Sequence, residues 1–392
     1  MKADLVSFVQ VLGFRSETWL YRQLVSPTEH HALVCTHKHI NRRDYPYSRV
    51  YTSAALGRRL LNRCRCLLGM PRWGWIQNHR RLFSRVVSLP QVQLIQAHFG
   101  WTGYGAWDLA RHVPKPYLVW LYGSDVFRNG PCRHRELPCL FRTRASFACT
   151  SQALRGEAIR LGCDPARITV VYPGVPVPAY QPRDPRCSGR PRILSAGRLV
   201  GSKDPLGLVR VASCLKDIGI AFQWQHFGDG PMRPAVELGI AESGIRDNFT
   251  LEGEVANDSV LAAMRAANAM VHIAQIAPDG GRESFGVVLA EAAASGLPVI
   301  ASRLGGIPEI VEDLTTGFLV EPGAYPEMAE HAAALLSNPA LADRLGRQAH
   351  ERASRCFNAE VQARQLDSFY DRLIAQSCGN SGSGCPPGFA ST

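Results

Sequence analysis

Short apolar runs alternate with longer polar or amphipathic stretches along the whole of this 392-residue chain. In the first half, Leu5–Val9, Ala32–Thr36, Val92–Gln96, Tyr117–Leu121, Ser146–Thr150 and Ile168–Val171 read as strands. They are short, rich in β-branched and aromatic residues, and separated by helical stretches. Such alternation predicts parallel sheets with helices on both faces. Residues 172–191 then hold six prolines, which marks a linker and a domain boundary. A second alternation follows, with strands at Arg192–Ala196, Phe222–Phe227, Asn248–Leu251, Met270–Ile273, Pro298–Ala301 and Gly317–Val320. Helices are expected between them at Leu206–Leu215, Met232–Ser243, Asp258–Ala266 and Phe285–Ser295. Further helices from Pro326 to Ala375 close the chain, and the Gly/Ser/Pro-rich stretch 377–392 reads as a disordered tail.

The pattern therefore predicts an α/β protein of two doubly wound, Rossmann-like domains, 1–175 and 190–355, facing each other across a cleft. A chain of this length exceeds the usual limit of one core. Ligands in such folds sit at the carboxyl ends of the strands.

Composition narrows the class. No uninterrupted apolar run reaches the roughly 18 residues of a membrane span. The segment Met1–Val9 is too short and polar for a signal peptide and reads as a first strand, so a cytoplasmic protein is expected. Twelve scattered cysteines fit reduced thiols, and neither Cys64-Arg65-Cys66 nor Cys132 with Cys139 has zinc-site spacing. Charge is unevenly spread. Residues 1–180 hold 25 Lys and Arg against 9 Asp and Glu, whereas the remainder holds 19 against 24. A basic first half suits an anionic partner: a membrane surface, a pyrophosphate-linked acceptor or nucleic acid. A solvated Arg-rich surface explains it equally well.

The chemistry concentrates in the second half. Glu283 and Glu291 stand eight residues apart in Asp279-Gly280-Gly281-Arg282-Glu283-Ser284-Phe285-Gly286-Val287-Val288-Leu289-Ala290-Glu291. Val287 to Ala294 reads as a buried helix that stops at Gly296. Glu283 then precedes a helix N-terminus, whose unpaired N–H groups attract an anion. A carboxylate beside an anion site is suited to sugar hydroxyls rather than to phosphate. Upstream, Arg198 and Lys203 stand five residues apart after a strand and a Gly turn, and two such cations suit a departing diphosphate. Phe227-Gly228-Asp229-Gly230-Pro231, Leu251-Glu252-Gly253-Glu254-Val255 and Ser302-Arg303-Leu304-Gly305-Gly306-Ile307-Pro308-Glu309 also sit at strand ends. The first lacks the dinucleotide fingerprint. Each is weak alone, and a tight turn or a solvated loop explains it as well.

Taken in order, GR-x4-K, GDGP, E-x-FG-x4-E, GLPVIAS and GGIPE resemble glycosyltransferase family 4, retaining enzymes of the GT-B fold. The resemblance spans nearly the whole chain and is strongest from about residue 190 to 325. Ser16-Glu17-Thr18-Trp19, Gln96-Ala97-His98-Phe99-Gly100 and Tyr122-Gly123-Ser124-Asp125 resemble the exopolysaccharide branch, of colanic-acid type. The resemblance implies a final helix, here 356–376, that crosses back onto the first domain. It implies Arg198 and Lys203 on the diphosphate, Glu283 on the donor sugar and Glu291 on the ribose. Phe285, Gly286 and Val287 offer backbone N–H groups, and Val255 lies by the base. Glu17, His98 and Asp125 belong to the acceptor side. Tyr122 stands where the family usually has a histidine over the reacting sugar, and a tyrosine is a poor cation at neutral pH. His37 and His39 read as surface residues, and His226 and His272 as packing residues within strands.

The expected activity is transfer of a sugar from a UDP- or GDP-linked donor to a growing, lipid-linked glycan, with retention and with no required metal or cofactor. The expected location is cytoplasmic, peripheral on the inner face of the plasma membrane, with anionic lipid as a contact and no nucleic acid partner. The same fold also serves small soluble acceptors, as in a sugar phosphate synthase, and nucleotide-sugar epimerases. A degenerate scaffold that binds a partner transferase is the non-enzyme alternative.

Arg58, Arg59, Arg63 and Arg65 group several cations in one stretch. Reversing these four charges should reduce co-sedimentation with anionic vesicles and leave nucleotide binding intact. Co-sedimentation unchanged by the substitutions or by salt would leave a merely solvated surface.

Overall fold

The computed structural model describes residues 3–52, 74–181 and 190–379. The Arg58–Arg65 cluster, Cys64 and Cys66, residues 182–189 of the linker and residues 380–392 of the tail lie outside the described residues. The first sheet contains β1 (Ala3–Leu12), β2 (His30–His39), β3 (Val50–Thr52), β4 (Val92–His98), β5 (Tyr117–Leu121), β6 (Ser146–Cys149) and β7 (Ile168–Val170). Its spatial order is β3-β2-β1-β4-β5-β6-β7. The second contains β8 (Arg192–Ala196), β9 (Gln223–Phe227), β10 (Phe249–Gly253), β11 (Ala269–His272), β12 (Val299–Ser302) and β13 (Gly317–Val320), ordered β10-β9-β8-β11-β12-β13. All pairings between these strands are parallel. Both sheets are Rossmann-like, as the alternation predicts. Each reverses its direction of growth once, between β1 and β4 and between β8 and β11, and such switch points open a crevice at the strand ends.

Local chemistry explains the elements. All five residues of β5 are buried, so it reads as a continuous apolar run. Its alternate residues face opposite ways. Val119 and Leu121 join Phe83 and Phe147 on one face, and Leu118 and Trp120 join Leu366, Phe369 and Tyr370 on the other. β3 is the strand that the alternation does not mark, since it is three residues at a sheet edge with no buried residue.

The closing helix spans Ala359–Gly379 rather than 356–376. Cys356 ends the preceding helix, Pro339–Cys356, and Asn358 Oδ1 caps the new one by accepting from the Glu360 amide at 2.8 Å. This helix lies against the first sheet through a buried polar network. Gln96 Oε1 accepts from Trp120 Nε1 (2.9 Å) and from the Tyr370 hydroxyl (3.0 Å), while Gln96 Nε2 donates to Ser7 Oγ (2.7 Å). At the crossing point the incoming and outgoing chains are tied together. The Val175 amide donates to Phe357 O (2.8 Å), and the Ala359 amide donates to Val175 O (2.9 Å). A Cβ on Gly174 would lie 2.8 Å from Ala359 Cα, so the approach requires glycine.

Asp367 anchors the same helix. It accepts from the Thr28 amide (2.9 Å) and hydroxyl (3.2 Å) and lies 2.7 Å from His30 Nδ1. Asp367→Ala leaves these donors unmatched and should destabilise the protein by about 3 kcal/mol, the usual loss on breaking a buried pair. The check is the urea unfolding midpoint, and an unchanged midpoint would mean that apolar contacts alone dock the helix.

Candidate functional site

The carboxyl ends of β8 and β11 converge on one cluster. The chain turns at Gly197 after β8 and at Gly228 after β9. A Cβ on Gly228 would lie 2.0 Å from Gly197 O, so the two loops cross backbone to backbone. Arg198 follows, exposed, and Lys203 ends the short turn Gly201–Lys203. The Lys203 ammonium contacts the Glu283 carboxylate, and His272 Nε2 lies 3.1 Å from Glu283 Oε2. Arg198, Lys203, His226 and His272 line one small cavity with Gly197.

Burial alone would raise the Glu283 pKa, but Lys203 and then His272 outweigh it and hold the carboxyl well below its ordinary range. Glu283 is therefore ionised. His272 is pushed down by burial and then by Lys203, so it is neutral and donates from Nε2. Behind it, Trp224 Nε1 donates to Ser195 Oγ (2.8 Å), and Ser195 Oγ lies 2.9 Å from His226 Nδ1. His226 Nε2 lies 3.2 Å from Gly197 O. The chain of bonds places the His226 proton on Nε2 and supports the turn that carries Arg198.

Glu283 is located by its surroundings. Cβ atoms on Gly305 and Gly306 would lie 1.9 Å from Glu283 O and 2.2 Å from Ser284 O, which explains the paired glycines after β12. Phe285 is buried and packs on Tyr172 (5.6 Å) and Phe357 (5.6 Å). Gly286, at φ 97°, opens the helix Val287–Ala294 and accepts from the Leu289 amide at 2.8 Å, which leaves the Val287 and Val288 amides without an intrahelical partner. Glu291 lies in this helix and is 4% exposed. Its Oε1 accepts from Arg22 Nη1 (2.8 Å) of the first domain and from Asn257 Nδ2 (3.3 Å). Val255 is half-buried two residues before Asn257.

Further contacts cross between the domains. Glu309 accepts from the Gln152 (2.8 Å) and Ala153 (3.0 Å) amides at the start of the helix Gln152–Arg160, where the helix dipole favours a negative charge. The Tyr172 hydroxyl donates to the same carboxylate at 3.0 Å. Arg282 stacks over Phe127 (4.2 Å) and donates to Glu157 (3.1 Å), which Arg133 and Arg160 also contact.

The first-domain residues divide. Glu17 is half-buried and feels Arg198. Burial pushes its pKa up to about 7, with Arg198 opposing. Tyr122, His98 and Asp125 are buried behind the wall instead. The Tyr122 hydroxyl donates to Gln23 Oε1 (3.2 Å) and lies 2.8 Å from His98 Nδ1. Asp125 accepts from the Gly100 (2.7 Å) and Tyr122 (2.8 Å) amides and so ties the loops after β4 and β5 together. The backbone of the Tyr122 loop reaches the second domain, where a Cβ on Gly123 would lie 2.9 Å from Ser284 Cβ. The geometry thus unites Arg198, Lys203 and Glu283 and adds His272, Arg22 and Asn257. The sequence marks His272 only by its position at the end of a strand.

This arrangement of two facing Rossmann-like domains is the GT-B architecture of glycosyltransferases. Residues 180–352 match the family model described as glycosyl transferases group 1. The chain is 28% identical over 284 residues to WcaL of Escherichia coli K12, named for glycosyl transfer in colanic acid biosynthesis, covering 71% of this chain and 70% of that one. It is 26% identical over 309 residues to the D-inositol 3-phosphate glycosyltransferase of Streptomyces avermitilis, covering 71% and 64% respectively. Among solved structures, Anabaena HepE in complex with UDP superposes with a TM-score of 0.73 at 19% identity, over 95% of this chain and 100% of that one. Among the described residues no group of His, Cys, Asp and Glu could hold a metal ion, and no helix is long and apolar enough to cross a membrane.

Burial holds the His226 pKa down to about 4, against 6.5 for the free side chain. As pH falls through this window the unfolded chain takes up the proton first, so the contribution of His226 to stability is present above about 6.5 and declines toward 4. Glu17 and Asp125, raised to about 7, act in the opposite sense, so the readout is a comparison with a variant. The stability advantage of wild type over His226→Gln should shrink from pH 7 to 4.5 in thermal unfolding. A constant difference would show that His226 takes up its proton in the native state as readily as in the unfolded chain.

Proposed function

We propose that the protein is a retaining glycosyltransferase of family 4 that moves a sugar from a UDP- or GDP-linked donor to a growing, lipid-linked glycan in polysaccharide biosynthesis. The observation that carries this reading is the Lys203–Glu283–His272 cluster beside Arg198, at a switch point of the domain that matches the family model. A donor site needs cations for the leaving diphosphate and an ionised carboxylate for the sugar, and these residues supply both. The colanic acid relative and the basic first half support a glycan acceptor at an anionic membrane face.

In this reading Arg198 and Lys203 hold the diphosphate, with the Phe285, Gly286 and Val287 amides beside them. Glu291 takes the ribose hydroxyls in place of Arg22, and Val255 lies by the base. Glu283 accepts from the donor sugar. The anomeric carbon–oxygen bond to the diphosphate breaks as the acceptor oxygen bonds to that carbon on the same face. The acceptor proton passes to the departing phosphate oxygen. No enzyme nucleophile takes part, and catalysis is positioning and charge stabilisation. Tyr122, His98 and Asp125 act by shaping the acceptor-side wall, and Glu17 faces the cleft directly.

Two substitutions test the division of labour. Glu283→Gln keeps shape but loses charge, so it should lower kcat far more than it weakens binding of the nucleoside diphosphate product, the pattern of an interaction made in the transition state. Glu291→Gln should weaken the product itself, since the ribose is present before and after transfer. The measurements are kcat and the product Kd by calorimetry. Equal effects in both variants would refute these roles, and normal activity in both would remove the glycosyltransferase reading.

A further inference from the structure

At the switch point of the first sheet, beyond the carboxyl ends of β1, β4 and β5, aromatic rings form a wall that the donor chemistry does not use. Trp101 is the second residue of the helix Gly100–Ala110 and is only half-buried. Its ring lies parallel to Phe99, 4.6 Å between centroids and 10° between planes, and its Nε1 donates to Gln10 Oε1 at 3.1 Å. Phe99 in turn meets Tyr122 (4.6 Å) and Trp19 (6.4 Å). Among the described residues, Trp101 belongs to none of the apolar clusters that build the two cores. A tryptophan held by a neighbouring ring and one side-chain amide, but absent from the core, is placed for something other than packing.

Three further observations point the same way. Phe99 has φ 72° and ψ 144°, a conformation that costs energy for a bulky residue and tends to persist where function requires it. His98 Nε2, Gln23 Nε2 and Thr102 Oγ1 are buried polar atoms without a partner, and all three belong to residues in or beside this wall. Buried polar groups are normally satisfied, so these three atoms give the wall a polar rear where ordered water belongs. The wall also adjoins the donor side. Glu17, two residues before Trp19, feels Arg198, and Gly123, next to Tyr122, abuts Ser284.

We propose that Trp101, Phe99 and Trp19 form a carbohydrate-stacking subsite that holds a pyranose ring of the acceptor. One face of a pyranose presents C–H groups, whose slight positive charge suits the negative face of an aromatic ring. Its hydroxyls point outward around the rim, where Gln10 and Glu17 accept. The assignment of the ring to an acceptor rests on the function proposed above, whereas the stacking itself can be tested without donor.

The test uses the full chain. Saturation-transfer NMR with methyl α- and β-glucoside, galactoside and mannoside, and with cellobiose, reports ring binding, and calorimetry reports UDP binding. Trp101→Ala should weaken the best of these glycosides by at least about tenfold, whereas Trp101→Phe retains most of the affinity, since it keeps an aromatic face. Both variants should bind UDP as wild type does. Equal glycoside affinity in Trp101→Ala and wild type overturns the proposal. Should the alanine variant fail to fold, wild type labelled with fluorotryptophan decides. The Trp101 resonance, assigned through Trp101→Phe, must move on adding a glycoside, and a resonance that moves with none of them overturns the proposal. Glycoside binding without UDP binding would sink the donor assignment and leave the subsite standing, while UDP binding without glycoside binding would do the reverse.

Discussion

A carboxylate shut away from water must be matched by positive charge, and the site depends on how Glu283 meets that demand. Its partners are Lys203, after β8, and His272, the last residue of β11, whose following loop carries Glu283 itself. Satisfying this one charge therefore ties the ends of the neighbouring strands β8 and β11 together. The glycines follow from the same constraint. Gly305 and Gly306 let the loop after β12 press directly on the Glu283 and Ser284 carbonyls, which leaves the side chain a single direction to point. Charge and backbone contact together make the cluster rigid before any ligand arrives.

The domain interface uses the same chemistry. Glu309 and Glu291 of the second domain meet the helix Gln152–Arg160 and Arg22 of the first. Glu157 of the first domain meets Arg282 of the second. In each case the acid has at least one donor on the opposite side of the cleft. Glu291 is the telling member, because the group that satisfies it here, Arg22, is a long side chain that can withdraw. Its interaction is local and exchangeable, whereas that of Glu283 is built into the domain.

Much of this was legible in the residues themselves. A strand such as β5 is plain in the sequence because burial on both faces requires a continuous apolar run. β3 did not, since three half-exposed residues at an edge carry no periodicity. Arg198, Lys203, Glu283 and Glu291 could be picked out because glycine-punctuated loops precede or contain them. Other positions were hidden for physical reasons. His272 lies in a strand, and nothing local distinguishes a packed histidine from one aimed at a carboxylate. Arg22 sits on a short amphipathic helix like any surface arginine. Tyr122 takes the place of the family's usual histidine, and its direction is set by Gln23 and His98, partners remote in the chain. The closing helix begins three residues later than expected because Asn358 is a better cap than Cys356 is a first residue.

The tie between Val175 and Phe357–Ala359 bears on motion. Both passages of the chain between the domains go through this one bonded point, with Gly174 and Ala359 in backbone contact. Two bodies joined at a single pinned spot swivel more readily than they slide. A rotation about that pin would part Glu309, Arg282, Arg22 and Asp279 from their partners across the cleft together. Salt, which weakens charge pairs of this kind, would then favour the parted arrangement.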